Sequence, residues 1–265
     1  MLPNFFIGEK EISAYMIMAI IGYFAAGLYA CWSFRRRGRS EDEMISFFLL
    51  MTIGVLIGGP FVYGITNFPL IVKLIKLTFT GGFSSISEFL GACSVVFGGS
   101  VFYGGLLGGM AAGAILIRRR KLSGKLYTDT LAPCIPLFHV FGRLGCFLSG
   151  CCFGVESPIG FVYHYSPIAM ANGVRRFPVQ LVEASVNLCI FLILHRLWQK
   201  EKAEGRLLRL YLLMYAPCRF VLEFFRGDTY RGFLFSFSTS QIISILILLG
   251  VLVYTIFEKK KQKMN

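Results

Sequence analysis

The sequence predicts an all-α integral membrane protein of about seven transmembrane helices, with its N-terminus outside, its C-terminus cytoplasmic and a small extracytoplasmic cap. Three observations predict it. The composition is 55% hydrophobic and only 15% charged. The apolar residues fall in long blocks instead of the short periodic stripes that fold one soluble core. Clusters of Lys and Arg recur between alternate pairs of those blocks, as they do in cytoplasmic loops.

A spanning helix takes about 20 mostly apolar residues. Seven blocks qualify, at residues 12–34, 44–65, 95–117, 126–148, 181–197, 207–225 and 236–257. The basic clusters at 35–39, 118–125, 196–209 and 259–263 hold 18 of the 27 Lys and Arg. The opposite side holds Lys10, Lys73, Lys76, Arg175, Arg176, Arg226 and Arg231, while Arg143 and Arg219 fall within blocks. The net charge of +13 is spent on clusters abutting apolar helices, where it fixes orientation and attracts anionic head groups. Nucleic acid is therefore not an expected partner. No basic stretch precedes the first block, so it is expected to stay as an anchor and not be cleaved as a signal peptide.

No internal repeat or low-complexity linker divides residues 1–265, which read as one polytopic membrane domain with extracytoplasmic segments 67–94 and 149–180. The first contains PLIVKLIKLTF, a basic amphipathic stretch suited to the interface plane, with a plain loop as the alternative. The second carries Glu156, Tyr163, His164, Tyr165, Asn172, Arg175 and Arg176, and reads as the cap. In the third block, Gly104 with Gly108 and Gly105 with Gly109 are spaced for close helix packing. Tyr103, beside the bared backbone of Gly104 and Gly105, is also placed to admit a polar group at membrane depth.

The chemistry concentrates in GRLGCFLSGCCFG, residues 142–154. An arginine in an apolar helix costs roughly 2.5–3.5 kcal/mol on insertion scales, so Arg143 is expected to face a cavity, a partner or a ligand. Arg219 and Arg226 stand seven residues apart in CRFVLEFFRGD, about two helical turns and nearly one face. Guanidinium suits phosphate, because it is always charged and donates two parallel hydrogen bonds. Three converging arginines would grip an anionic phospholipid head group, with Glu223, four residues from Arg219 and three from Arg226, orienting both. His139, one turn before Arg143, is the candidate base; a core histidine bonded to a backbone carbonyl is the alternative.

Eight cysteines lie at 31, 93, 134, 146, 151, 152, 189 and 218. His139, Cys146, Cys151 and Cys152 offer metal-ligating atoms, but adjacent Cys151 and Cys152 are not expected to reach one ion together. A disulfide from Cys146 to Cys151 or Cys152, or plain packing by a small polarizable side chain, are the other readings. No metal and no cofactor is expected.

FYGGLLGG (102–109), FGRLGCFLSGCCFG (141–154), RFPVQLVEA (176–184) and RFVLEFFRGD (219–228) together resemble the bacterial prolipoprotein diacylglyceryl transferase family, in the same order. The resemblance implies a transferase of the bacterial cell membrane, multi-pass, whose partners are phosphatidylglycerol or another anionic phospholipid and the lipobox segment of a preprolipoprotein. It moves a diacylglyceryl group to the lipobox cysteine thiol and leaves glycerol phosphate. Gly142, Arg143 and Gly154 match the family's GR…G signature; Pro178, Gln180, Leu181 and Glu183 its PxQLxE segment; Arg219, Glu223, Arg226 and Asp228 its arginine-rich run. The implied substrate-binding residues are Arg143, Arg219, Glu223, Arg226, Gly104, Gly105, Gly154, Gln180 and Glu183, with His139, Tyr103, Arg143 and Arg219 as catalytic candidates. Departures are Cys146 and Ser149 where the family has asparagines, Cys151 where it has glutamate, and Tyr103 where it has histidine. A thiol-based membrane oxidoreductase built on Cys146, Cys151 and Cys152, or a related transferase with another acceptor, is the alternative function.

Overall fold

The computed structural model describes residues 3–8, 10–99, 101–201, 204–228, 233–234 and 237–264. Lys202, Arg231 and Ser236 lie outside them, as does the side chain of Tyr103. In chain order the elements are β1 (Asn4–Ile7), β2 (Lys10–Ser13), α1 (Ala14–Arg36), α2 (Glu41–Thr66), α3 (Phe68–Phe79), α4 (Ile86–Phe97), α5 (Phe102–Arg119), α6 (Gly124–Leu131), α7 (Cys134–Ser149), β3 (Glu156–Val162), β4 (Arg175–Arg176), α8 (Val179–Gln199), α9 (Leu207–Leu222), β5 (Phe233–Leu234), β6 (Phe237–Ser238) and α10 (Thr239–Met264). The strands pair only locally and antiparallel, β1 with β2, β3 with β4 and β5 with β6, so the all-α expectation needs these three ribbons added.

Among the described residues, five helical stretches are long and apolar enough to cross a membrane: Ala14–Arg36, Glu41–Thr66, Gly124–Ser149, Val179–Gln199 and Thr239–Lys260. Their outward faces carry exposed Leu28, Leu56 and Phe257, as lipid-facing helices do. The protein is a multi-pass membrane protein. Three expected blocks differ from what forms. Block 95–117 is divided between α4 and α5 at residues 98–101, where Gly98 and Gly99 favour a break. Block 207–225 gives only the 16 residues of α9, then a 3-10 turn at Glu223–Phe225 and extended backbone at Arg226. The block at 126–148 is likewise two helices, α6 and α7, separated ahead of Pro133.

Contacts divide the chain into two compact units: Met1–Ser33 with Lys125–Asn265, and Phe34–Gly124. In the second unit α2 opens on Ser40, whose hydroxyl accepts from Asp42 N, with Glu41, Asp42 and Glu43 against the helix dipole. α2 and α5 touch backbone to backbone: a Cβ on Gly58 would lie 2.2 Å from the Gly104 carbonyl, and one on Gly108 2.2 Å from that of Gly54. The small-residue spacing read from the sequence is thus a helix contact. PLIVKLIKLTF forms most of α3, whose residues are all at least partly exposed.

In the first unit α8 divides along one face. Gln180, Glu183 and Asn187 are buried at its start, and Ile190, Leu194 and Trp198 at its end, all at the three- and four-residue intervals of a single stripe. The apolar half joins Ala132, Leu207 and Tyr211 in a core. The polar half lies beyond that core and becomes the candidate site. Asp129 fixes the entry to α9 by accepting the N–H groups of Gly205 and of Leu207, the latter at 3.1 Å. At α10, Gln241 N donates to Ser238 Oγ and Ser238 N to Gln241 Oε1, a reciprocal cap.

Candidate functional site

α7 and α8 each send one ionic side chain, and α9 a tyrosine hydroxyl, into a shared polar cluster. Arg143 on α7 places Nε 3.0 Å from Oε2 of Glu183 on α8. The other carboxylate oxygen, Oε1, accepts from the hydroxyl of Tyr215 on α9 at 2.9 Å. Glu183 is 2% exposed and the Arg143 side chain 20%, so the carboxylate is sealed and the arginine partly exposed. Both terminal nitrogens of Arg143 are without a hydrogen bond among the described residues, which leaves an open two-donor edge of the kind that binds phosphate.

The other two arginines are held differently. Arg219 Nη1 pairs with Glu223 Oε2 at 2.8 Å, and its Nη2 donates to Ser240 Oγ at 2.9 Å. Arg226 makes a two-pronged pair with Asp228, Nε to Oδ1 at 2.9 Å and Nη2 to Oδ2 at 2.6 Å. The expectation that Arg219 and Arg226 share one helical face oriented by Glu223 is therefore corrected. The helix ends at Leu222, so the seven-residue spacing no longer spans two α-turns, and Asp228 supplies the carboxylate that clasps Arg226. Each of the three arginines thus has a carboxylate of its own: Glu183 for Arg143, Glu223 for Arg219 and Asp228 for Arg226.

His139 lies one turn from Arg143, as expected. Its Nδ1 is 3.3 Å from the Tyr211 hydroxyl, and its ring centre is 5.4 Å from that of Tyr215. The Asn187 side chain also reaches the ring.

The segment after α7 is folded against this cluster by backbone and amide bonds. Gln180 Nε2 donates to the Cys151 carbonyl at 2.8 Å and to the Tyr163 hydroxyl at 3.1 Å. Burial pushes the Tyr163 phenol up to about 12, so it stays protonated and hydrogen-bonding at neutral pH. Gly154 bridges Arg226 in backbone pairing. A Cβ there would lie 2.3 Å from the Phe177 carbonyl and 3.0 Å from that of Phe225, so only glycine lets these three segments meet. Ser149 Oγ and Gln180 Oε1 are buried with no hydrogen-bond partner among the described residues, and each is a polar atom available to a ligand.

The cysteine end of α7 departs from expectation. Gly150 takes the left-handed conformation with φ 72°, Gly150 N donates to Phe147 O, and Cys151 N to Cys146 O. This is a Schellman motif, which brings the side chains three residues before and two after the cap together; here those are Cys146 and Cys151. Cys152 is also left-handed, φ 54°, and the three sulfurs lie within 4.8 Å of one another. Adjacent Cys151 and Cys152 thus do aim at one point. All eight cysteines are free thiols, and the disulfide is not formed.

Gly104 and Gly105 lie in the other unit, against Gly58, Val62 and Val55 of α2. Sequence reasoning missed Tyr211, Tyr215 and Ser240. The tyrosines carried a signal, since Tyr211, Tyr215 and Arg219 recur every four residues on α9; Ser240 carried none.

Comparison with known proteins gives a consistent result. The family described as prolipoprotein diacylglyceryl transferase matches residues 4–257. Phosphatidylglycerol–prolipoprotein diacylglyceryl transferase 2 of Clostridium perfringens is 32% identical over 259 residues, 96% of this chain and 94% of the relative. The phosphatidylglycerol–prolipoprotein diacylglyceryl transferases of Clostridium tetani and Geobacter sulfurreducens are each 31% identical, covering 95% and 98% of this chain and 96% of each relative.

Proposed function

We infer that this chain, which belongs to the prolipoprotein diacylglyceryl transferase family, transfers the diacylglyceryl group of phosphatidylglycerol to the cysteine thiol of a preprolipoprotein lipobox. The observation that carries the reading is the free edge of Arg143: a guanidinium tethered through Nε to a sealed carboxylate, with both Nη groups open. In the reaction the bond between the diacylglyceryl carbon and a phosphate oxygen breaks, a carbon–sulfur bond forms, and the thiol loses its proton. Glycerol phosphate leaves with the electron pair. Fixed cations aimed at that developing charge lower the barrier without reorganising.

Arg143 takes the phosphate, and Arg219 and Arg226, each braced by its carboxylate, add positive field. Glu183 and Tyr215 hold Arg143 in place. His139, with the Tyr211 hydroxyl at its Nδ1, is the group offered for the thiol proton. Gln180 and Gly154 shape the wall, and Glu223 positions Arg219. By family resemblance Gly104 and Gly105 serve the same reaction, with Tyr103 standing where the family has a histidine.

The topology offered is seven crossings in the bacterial cytoplasmic membrane, with α4 and α5 counted as one passage, α6 and α7 as another, and α9 as a short sixth. The N-terminus is then outside, the C-terminus cytoplasmic, and α3 and the segment at 149–180 lie on the outer side. The test is to incubate the purified protein with labelled phosphatidylglycerol and a lipobox peptide. The expected result is a thioether-linked diacylglyceryl group on the peptide cysteine; a peptide changed only by disulfide formation would instead favour the thiol oxidoreductase, which the relatives do not.

A further inference from the structure

We propose that Cys146, Cys151 and Cys152 form a binding site for one thiophilic metal ion, of which Zn(II) is the probe of choice. The inference goes beyond the transferase reading and does not depend on it. The sulfurs already lie within 4.8 Å of one another. Tetrahedral zinc with bonds of about 2.3 Å spaces its sulfurs roughly 3.8 Å apart, so closure asks for side-chain shifts of about 1 Å or less. The backbone that gathers them is fixed in advance. The Schellman motif at Gly150 sets Cys151 against Cys146, with Cys151 N bonded to Cys146 O at 3.1 Å. Left-handed backbone at Cys152, φ 54°, turns the third sulfur toward the other two; a residue other than glycine rarely adopts it unless its surroundings enforce it.

Ligand chemistry and charge select the ion. Three soft sulfur donors with no carboxylate among them suit zinc, cadmium or copper(I), not magnesium or calcium. Three thiolates around a divalent ion leave one net negative charge. Cys146 is 7% exposed while Cys151 and Cys152 are partly exposed, so the ion has an entry path. Three protein ligands leave a fourth position open, the arrangement of sites that bind an exchangeable ligand.

The experiment uses the full chain in lipid nanodiscs, reduced, stripped of metal with a chelator, and then given Zn(II) or Cd(II) alone. The expected result is one ion per chain retained through desalting, with a sulfur-to-metal charge-transfer band for Cd(II). Bound metal should shield Cys146, Cys151 and Cys152 from alkylation, while the exposed Cys189 reacts as before. Cys152→Ser should lose the retained ion, and Cys189→Ser should keep it. If Cys152→Ser fails to fold, alkylation mapping on the unaltered chain decides. The proposal is overturned if the unaltered chain retains no ion, if the three cysteines alkylate equally with and without metal, or if the triple serine variant binds as well as the original. Because every readout is binding, its failure is separable from any failure of lipid transfer.

Discussion

Arg143 and Glu183 meet at 3.0 Å, Nε to Oε2, between α7 and α8, and this pairing leaves both terminal nitrogens of the guanidinium without a partner among the described residues. A lysine cannot reproduce it, since one ammonium cannot both hold Glu183 and present two parallel donors. The distinction between tether and open edge yields the first two expectations.

Glu183→Gln removes the charge that anchors Arg143. A hydrogen bond to a charged group is worth about 1.5–3 kcal/mol, so kcat/KM for lipid transfer should fall roughly tenfold to a hundredfold. Steady-state transfer kinetics check it, and an unchanged kcat/KM would separate Glu183 from the site.

Tyr215→Phe leaves Glu183 Oε1 without the hydroxyl that now donates at 2.9 Å. An orphaned buried acceptor costs about 1–3 kcal/mol. The midpoint of thermal unfolding in detergent should drop, with a smaller loss of activity than in Glu183→Gln.

Asp228→Asn breaks a buried pair from one side. Asp228 is 7% exposed and engages Arg226 through both oxygens. Loss of one partner of such a pair costs about 3–5 kcal/mol, and the β-bridge from Arg226 to Gly154 should loosen with it. Faster amide hydrogen exchange across residues 153–156 is the readout.

Tyr163 gives a pH dependence with a definite sign. Burial raises its phenol from 10.0 to about 12 in the folded chain. Between those values the unfolded chain has released the proton and the folded chain retains it, so stability falls as pH rises from about 10 to about 12. Below pH 10 this group contributes no slope. Unfolding midpoints measured from pH 9 to pH 12 should decline less steeply in Tyr163→Phe.

Much of this was legible in the chain. Apolar blocks and basic clusters gave the membrane class, and Arg143, Arg219 and Arg226 stood out because charge in an apolar helix demands a reason. The partners were not legible. Glu183 lies 40 residues from Arg143 in sequence, and only the crossing of α7 with α8 joins them; spacing within one helix pointed instead to Glu223 as partner for both later arginines. The end of α9 at Leu222 was hidden because VLEFF continues the apolar pattern through the 3-10 turn. Likewise the cysteines read as unable to converge, since flat sequence adjacency conceals two left-handed residues in succession but one, Gly150 and Cys152.

The central claim is that the open edge of Arg143 carries the phosphate through the transfer. The most direct measurement quantifies diacylglyceryl peptide and glycerol phosphate in one reaction mixture, for the unaltered chain and for folded Arg143→Lys. The account expects equal amounts of the two products from the unaltered chain, and a fall in both rates of about 10²–10³-fold in the variant. Equal rates from both proteins would contradict it.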